Sequence, residues 1–204
     1  MNTIKIIAAR IVFCVLSMHV AQAQSSEDLT RECLNLHLEE RYSEASAVCR
    51  KSAESGFIVG AWLLGDILLN GKAGNQSPQE GAKWISIAAE GGIPDAQSSM
   101  AILYDTGNGV KENKLEAFKW HSLAAEQGHS GSQFMLGLAY AAGRGTVKSY
   151  HHSYVWLSVS AASGNKDAAE MRDKLEELIP SSTVISAQNE AVSILKRIQS
   201  KTKN

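Results

Sequence analysis

The chain has no excess of basic charge: 20 lysines and arginines face 21 aspartates and glutamates, for a formal net charge of −1. It therefore lacks the basic footprint that nucleic-acid recognition needs. Beyond one apolar stretch near its start, Ile11 to Val20, it has no segment able to span a bilayer. Its three cysteines form no C-x-x-C pair, so a catalytic dithiol is not expected. His37, followed by Glu39 and Glu40, has no second histidine at metalloprotease spacing. Two S-x-x-K matches exist, Ser163 to Lys166 and Ser193 to Lys196, but S-D-N and K-T-G, which would complete a serine β-lactamase site, are both missing. Tyr150, His151, His152 and Tyr154 form the one local histidine and aromatic cluster; adjacent histidines diverge on a helix, so a solvated helix start is expected there rather than a metal site. Neither catalysis nor a metal or cofactor is expected.

What is present begins with an export signal. Lys5 and Arg10 give residues 1–23 a basic start, the apolar stretch follows, and Ala21-Gln22-Ala23 is a small-residue cleavage site. Cleavage there would make Gln24 the first mature residue and leave 18 basic against 21 acidic side chains, a charge of −3. The residue directly after the cut is Gln24 and not a cysteine, which argues against a lipoprotein. A periplasmic or secreted protein with no membrane span after signal removal is the expectation. In an oxidising compartment Cys33 and Cys49, placed symmetrically about Arg41, read as a disulfide across a tight helical hairpin.

The body is a repeat. Trp84, Trp120 and Trp156 recur every 36 residues, as do Ala89, Ala125 and Ala161, then Gly92, Gly128 and Gly164, then Gly71, Gly107 and Gly143. A fixed period of this length marks a solenoid whose units bury their apolar faces by stacking on neighbours. Each unit reads as two helices. The first carries one-face sets such as Gly60, Leu64, Gly65, Leu68 and Ser132, Leu136, Gly137, Tyr140, and ends at Gly71, Gly107 or Gly143. The second begins at Ser77, Asn113 or Ser149, residues whose side chains cap exposed N–H groups. Ser77 to Glu80 and Asn113 to Glu116 have the capping-box pattern. The tryptophans, present in every copy, are expected as core wedges between hairpins. After Gly164, Ala168, Met171, Leu175 and Leu178 continue the first-helix pattern, and beyond Pro180 the residues Ile185, Ala191, Ile194, Leu195 and Ile198 predict a final amphipathic helix. The expected divisions are a signal over 1–23, a disulfide-pinned hairpin over 24–59, three repeats over 60–167 and capping helices over 168–204.

The pattern A-x-x-x-L-G-x-x-Y-x-x-G-x-G followed by A-x-x-W-x-x-x-A-A-x-x-G, best matched at Ser132 to Gly145 and Ala117 to Gly128, resembles the Sel1-like repeat, a subclass of tetratricopeptide-type repeats. The resemblance implies an all-α, right-handed solenoid of helical hairpins whose first helices line a concave face. It implies binding: a scaffold for another protein or peptide, of the cell envelope or a host surface. It also admits two alternatives, a β-lactam-binding enzyme of the cysteine-rich exported type and an immunity protein that neutralises an exported toxin. Where copies differ, a partner surface is the expectation. Trp62, Ser98 and Phe134 are equivalent, Asp66, Ile102 and Leu138 lie one turn on, and Gln97 and Gln133 flank them. Trp62 and Phe134 are the expected aromatic anchors.

Overall fold

The computed structural model describes residues 27–201, outside which the export signal and its cleavage site lie. Among these residues there are ten helices and no strand: α1 (27–38), α2 (Tyr42–Glu54), α3 (Ile58–Asn70), α4 (Pro78–Glu90), α5 (Pro94–Thr106), α6 (Lys114–Glu126), α7 (Ser130–Ala142), α8 (Tyr150–Ala162), α9 (Lys166–Glu176) and α10 (Ser181–Lys201). Successive helices pack as hairpins, α1 with α2 through α7 with α8, each stacked on the next.

The turns follow from backbone chemistry. α3, α5 and α7 end on Gly71, Gly107 and Gly143 at φ 63°, 73° and 71°, the left-handed conformation that closes a helix most cheaply without a Cβ. Asn113 caps α6, accepting from Leu115 and Glu116 N–H, and Ser149 caps α8 through His152 N–H. The expected cap at Ser77 does not form: its side chain makes no cap hydrogen bond, and α4 starts on Pro78 instead. The return half of the capping box is also absent, for a physical reason that recurs. The N–H groups of Ser77, Asn113 and Ser149 already donate to the Leu68, Tyr104 and Tyr140 carbonyls, which ties each loop back onto its first helix. Glu80 is left to pair with Arg50 at 2.6 Å, and Glu116 with Lys119 at 2.6 Å.

Small residues set helix spacing. A Cβ on Gly65 would lie 2.7 Å from the Ile85 side chain, and one on Gly137 2.7 Å from Leu157, so the hairpins close on side chains that glycine leaves room for. Cys33 and Cys49 hold the same relation in the first hairpin and are bonded, with Cα atoms 4.9 Å apart, so a covalent link replaces the small-to-large contact. The bridge closes a loop of sequence separation 16. Cys33→Ala/Cys49→Ala is expected to lower stability by about 3 kcal/mol. Because each hairpin leans only on its neighbour, the loss should show first as faster amide hydrogen exchange in α1 and α2. Equal loss of protection across all repeats would contradict a bridge that acts locally.

The C-terminal expectations need correction. Leu178 falls beyond α9 and is 73% exposed, and Ile185 is 60% exposed. α10 is the amphipathic helix expected there and buries Ala191 and Ile194 as expected, with Val184 and Ala187 in the place assigned to Ile185. It lies on α8, held by His151 Nε2 to Glu190 at 2.8 Å and by Gln188 donating to Tyr154 Oη at 3.2 Å. The tryptophans are core in different degrees: Trp156 is buried, whereas Trp84 and Trp120 are partly buried against the N-terminal core.

Candidate partner-binding surface

The variable first-helix positions divide into a framework and a face. Gln133 is fully buried, and Gln97 and Ser98 nearly so, and these three cannot flank an open surface as the sequence suggested. Gln97 Nε2 donates to the Ala89 carbonyl and Gln133 Nε2 to the Ala125 carbonyl, both at 3.1 Å, as second donors to carbonyls that also accept from the Gly92 and Gly128 N–H groups. Their oxygens accept from Gln127 Nε2 and Ser163 Oγ at the end of their own unit, while the carbonyls they reach lie in the preceding one. This ladder joins one repeat to the next. Its signal in the sequence was the 36-residue spacing of Gln97 and Gln133, which marks framework rather than specificity.

Asp66 is also taken. Its carboxylate accepts from Lys72 Nζ at 2.6 Å, His37 Nε2 at 2.9 Å and Asn70 Nδ2 at 2.8 Å, so it knots α1, α3 and the α3–α4 loop together rather than facing a partner. Burial alone would raise its pKa, but the Lys72 and His37 hydrogen bonds outweigh that and hold it below the ordinary 3.8. A carboxyl depressed on folding stabilises above its unfolded value, and that contribution disappears as pH falls through the lower folded value. Asp66→Asn should therefore cost roughly 1–2 kcal/mol at neutral pH, damped by partial exposure. The deficit should shrink in urea titrations as pH falls from the ordinary carboxylate value through the lower folded one. A deficit independent of pH would mean that packing, not charge, is lost.

The remaining positions form a face. Ile102 is 50% exposed between buried Ala101 and Leu103. Leu138 is half-buried, and Trp62 and Phe134 are partly buried, packed against the two halves of the core. The structure adds Leu34, 38% exposed, which the sequence reading missed. The α1–α2 turn is three residues, 39–41, against seven at 71–77, which shifts α1 out of the 36-residue frame. With Cys33 in the place of Gly65, Leu34 takes the place of Asp66. The face ends at α9, where the equivalent residues Glu170 and Lys174 are exposed charges.

The residues once weighed for chemistry have structural partners. Ser163 Oγ donates to Gln133 Oε1 at 3.3 Å or the Val159 carbonyl at 3.2 Å, and Ser193 Oγ to the Asn189 carbonyl at 3.0 Å. His152 stacks on Tyr140, while His151 turns to Glu190. Among the described residues no group of three or more His, Cys, Asp or Glu is placed to hold a metal ion. His121 was not singled out by the sequence reading. It takes the register position of Ile85 and Leu157, is 5% exposed, and its Nδ1 meets Ser132 Oγ at 3.1 Å. Burial foremost, with His129 adding to it against the pull of Asp105, depresses it to about 4 and keeps it neutral at physiological pH.

The Sel1 repeat family model matches residues 58–93, 94–129 and 130–165. None of the curated proteins matches the chain significantly. Similar solved structures include two at 32% identity. One is a Sel1 repeat protein from Oxalobacter formigenes, 32% identical, with a TM-score of 0.57, covering 62% of this chain and 95% of that one. The other is c5321, a protective antigen of uropathogenic Escherichia coli displaying an SLR fold, 32% identical with a TM-score of 0.62; it covers 70% of this chain, which spans 34% of the E. coli protein. The period, the glycine-closed hairpins and the three matched units together place this chain in the Sel1 repeat family.

Proposed function

We propose that the protein is an exported scaffold whose first-helix face, Leu34, Ile102 and Leu138 around Trp62 and Phe134, docks a protein or peptide. Sel1-repeat proteins generally act as protein-interaction scaffolds. The observation that carries the reading to this face is Ile102, a large apolar residue half in solvent in line with Leu34 and Leu138. The stacked array fixes the spacing of these side chains before a partner arrives, which lowers the ordering entropy lost on binding. Export is supported by the Cys33–Cys49 bridge, a bond that persists in oxidising compartments. Among the described residues no helix is long and apolar enough to cross a membrane.

The test uses a photo-crosslinker at position 102, compared with one at Leu123, which is 48% exposed on a second helix. A partner captured from the cell envelope at 102 alone, and lost in Ile102→Asp with the helical signal unchanged, is the expected result. Ile102 suits this better than Trp62 or Phe134, whose removal would also disturb the core. Equal capture at both positions, or capture indifferent to Ile102→Asp, overturns the assignment of this face.

A further inference from the structure

Among the described residues α9 is a first helix without a second. In α3 and α7 the face that meets the second helix carries Leu64, Gly65 and Leu68, or Leu136, Gly137 and Tyr140. Gly65 and Gly137 there approach Ile85 and Leu157. α9 places Arg172, Asp173 and Glu176 at the same register. Burying an apolar helix on three charged side chains is costly, and α10 packs on the apolar outer side of α8 instead. Its path leaves an open groove of about 530 Å³ between α9 and α10, lined from α8 by Tyr154 and Ser158. This is far larger than a gap in a packed core.

The two walls of the groove differ in chemistry. Leu195 and the half-exposed Val192 line the α10 side, and Ile185 continues that exposed stripe seven residues before Val192. Arg172 and Glu176 line the α9 side, and Asp173 and Glu177 join Glu176 in an adjoining hollow. Arg172 is committed to Asp173 at 2.6 Å. Glu176 accepts from the neutral Tyr154 hydroxyl at 2.7 Å, which leaves its charge in place, and Glu177 is exposed. Among the residues lining the two hollows, one cation therefore stands against three carboxylates, and negative charge is left over beside an apolar wall.

We propose that this groove docks a cationic amphipathic helix of a partner protein, which takes the second-helix place that α9 leaves open. Its apolar side lies on Val192 and Leu195, and its lysines or arginines meet Glu176 and Glu177. A second copy stacked end to end suits the groove poorly, because α1, at the other end of the array, carries Glu27, Asp28 and Glu32 against Arg31. Like charges would meet there. The groove lies apart from the face around Ile102 and adds a docking surface beyond the one that face provides.

The full mature chain would be titrated by calorimetry with three capped peptides: the amphipathic KLAKLLAKLAKLLA, its glutamate counterpart ELAELLAELAELLA, and a shuffle of the lysine peptide that has no apolar face. Saturable micromolar binding of the first, at least tenfold tighter than of either other, is expected. Glu176→Gln/Glu177→Gln, which keeps an acceptor for Tyr154, and Val192→Ser should each weaken it about fivefold or more with the helical signal unchanged. Glu54→Gln/Glu90→Gln, the same charge change on α2 and α4, should leave it unaltered. A photo-crosslinker at Val192 should capture the peptide, and one at the exposed Ile87 of α4 should not. Equal loss in the two charge variants, equal binding of the three peptides, capture at both positions, or no saturation up to the millimolar range overturns the proposal. Self-association of the chain that Glu176→Gln/Glu177→Gln abolishes would give the groove to a second copy and overturn it equally. These readings are independent of crosslinking at position 102, so failure here and failure of the scaffold reading remain distinguishable.

Discussion

A chain ending at Ile179 is expected to lose the fold of its last repeat. α4 and α6 carry Lys83 and Lys119 on their outer face, where α8 carries Val155. Ile87 and Leu123 are 45% and 48% exposed, whereas the equivalent Val159 is 0% exposed. α8 is apolar on nearly every side because α10 covers the face its counterparts leave to water. Gln188 and Glu190 anchor that cover on Tyr154 and His151. Farther along, Ile198 reaches Gly128 at the end of α6. Uncovering Val155 and Val159 and losing Val184 and Ile194 from the core removes roughly 1.5–3 kcal/mol for each large side chain, as an upper bound. The total is of the order of a typical domain's whole stability. Circular dichroism and size exclusion should show helix loss and self-association. Val155→Lys gives the decisive second arm. In the full chain it buries a charge and destabilises; in the shortened chain it restores the residue other repeats carry and should improve solubility. A shortened chain that melts like the full one would show that α10 is an appendage.

Legibility followed periodicity. Helix ends at Gly71, Gly107 and Gly143 and starts at Asn113 and Ser149 could be read because one local chemistry repeats at one spacing. The Cys33–Cys49 bridge could be read because both residues sit symmetrically about a turn. The exposure of the proposed face was only partly readable: Ile102 and Leu138 were marked by differences between copies, but variation does not separate exposed from buried positions. Gln97 and Gln133 looked like recognition groups, yet their carboxamides bond helix ends of the preceding unit and side chains 30 residues onward, and the latter contact is one that no local pattern encodes. Asp66 is claimed by His37 from a helix 29 residues earlier. The cover over α8 did have a signal, the change from Lys83 and Lys119 to Val155, and comparison of outer as well as inner positions would have found it.

Gly145→Ala and Gly164→Ala should separate two costs that glycine avoids. Both residues have positive φ, 69° and 92°. At Gly164 an added Cβ meets nothing within 4 Å, so alanine there suffers only backbone strain, about 1–2 kcal/mol. At Gly145 the Cβ would lie 2.0 Å from the Lys114 carbonyl oxygen and 2.6 Å from its carbon. Those atoms belong to the start of α6 and cannot swing aside as a side chain could, so the loop itself must move. Strain and overpacking together should cost roughly 3–5 kcal/mol, read as the shift in urea midpoint. The displaced loop carries Arg144, whose guanidinium meets Asp105 at 2.7 Å across the seam. Gly145→Ala should therefore also loosen the Arg144–Asp105 pair, so that adding Arg144→Ala costs less stability in that variant than in the parent chain, whereas in Gly164→Ala the cost of Arg144→Ala should be unchanged. An equal cost of Arg144→Ala in the two variants would mean that the loop's approach to α6 supports the fold without positioning Arg144.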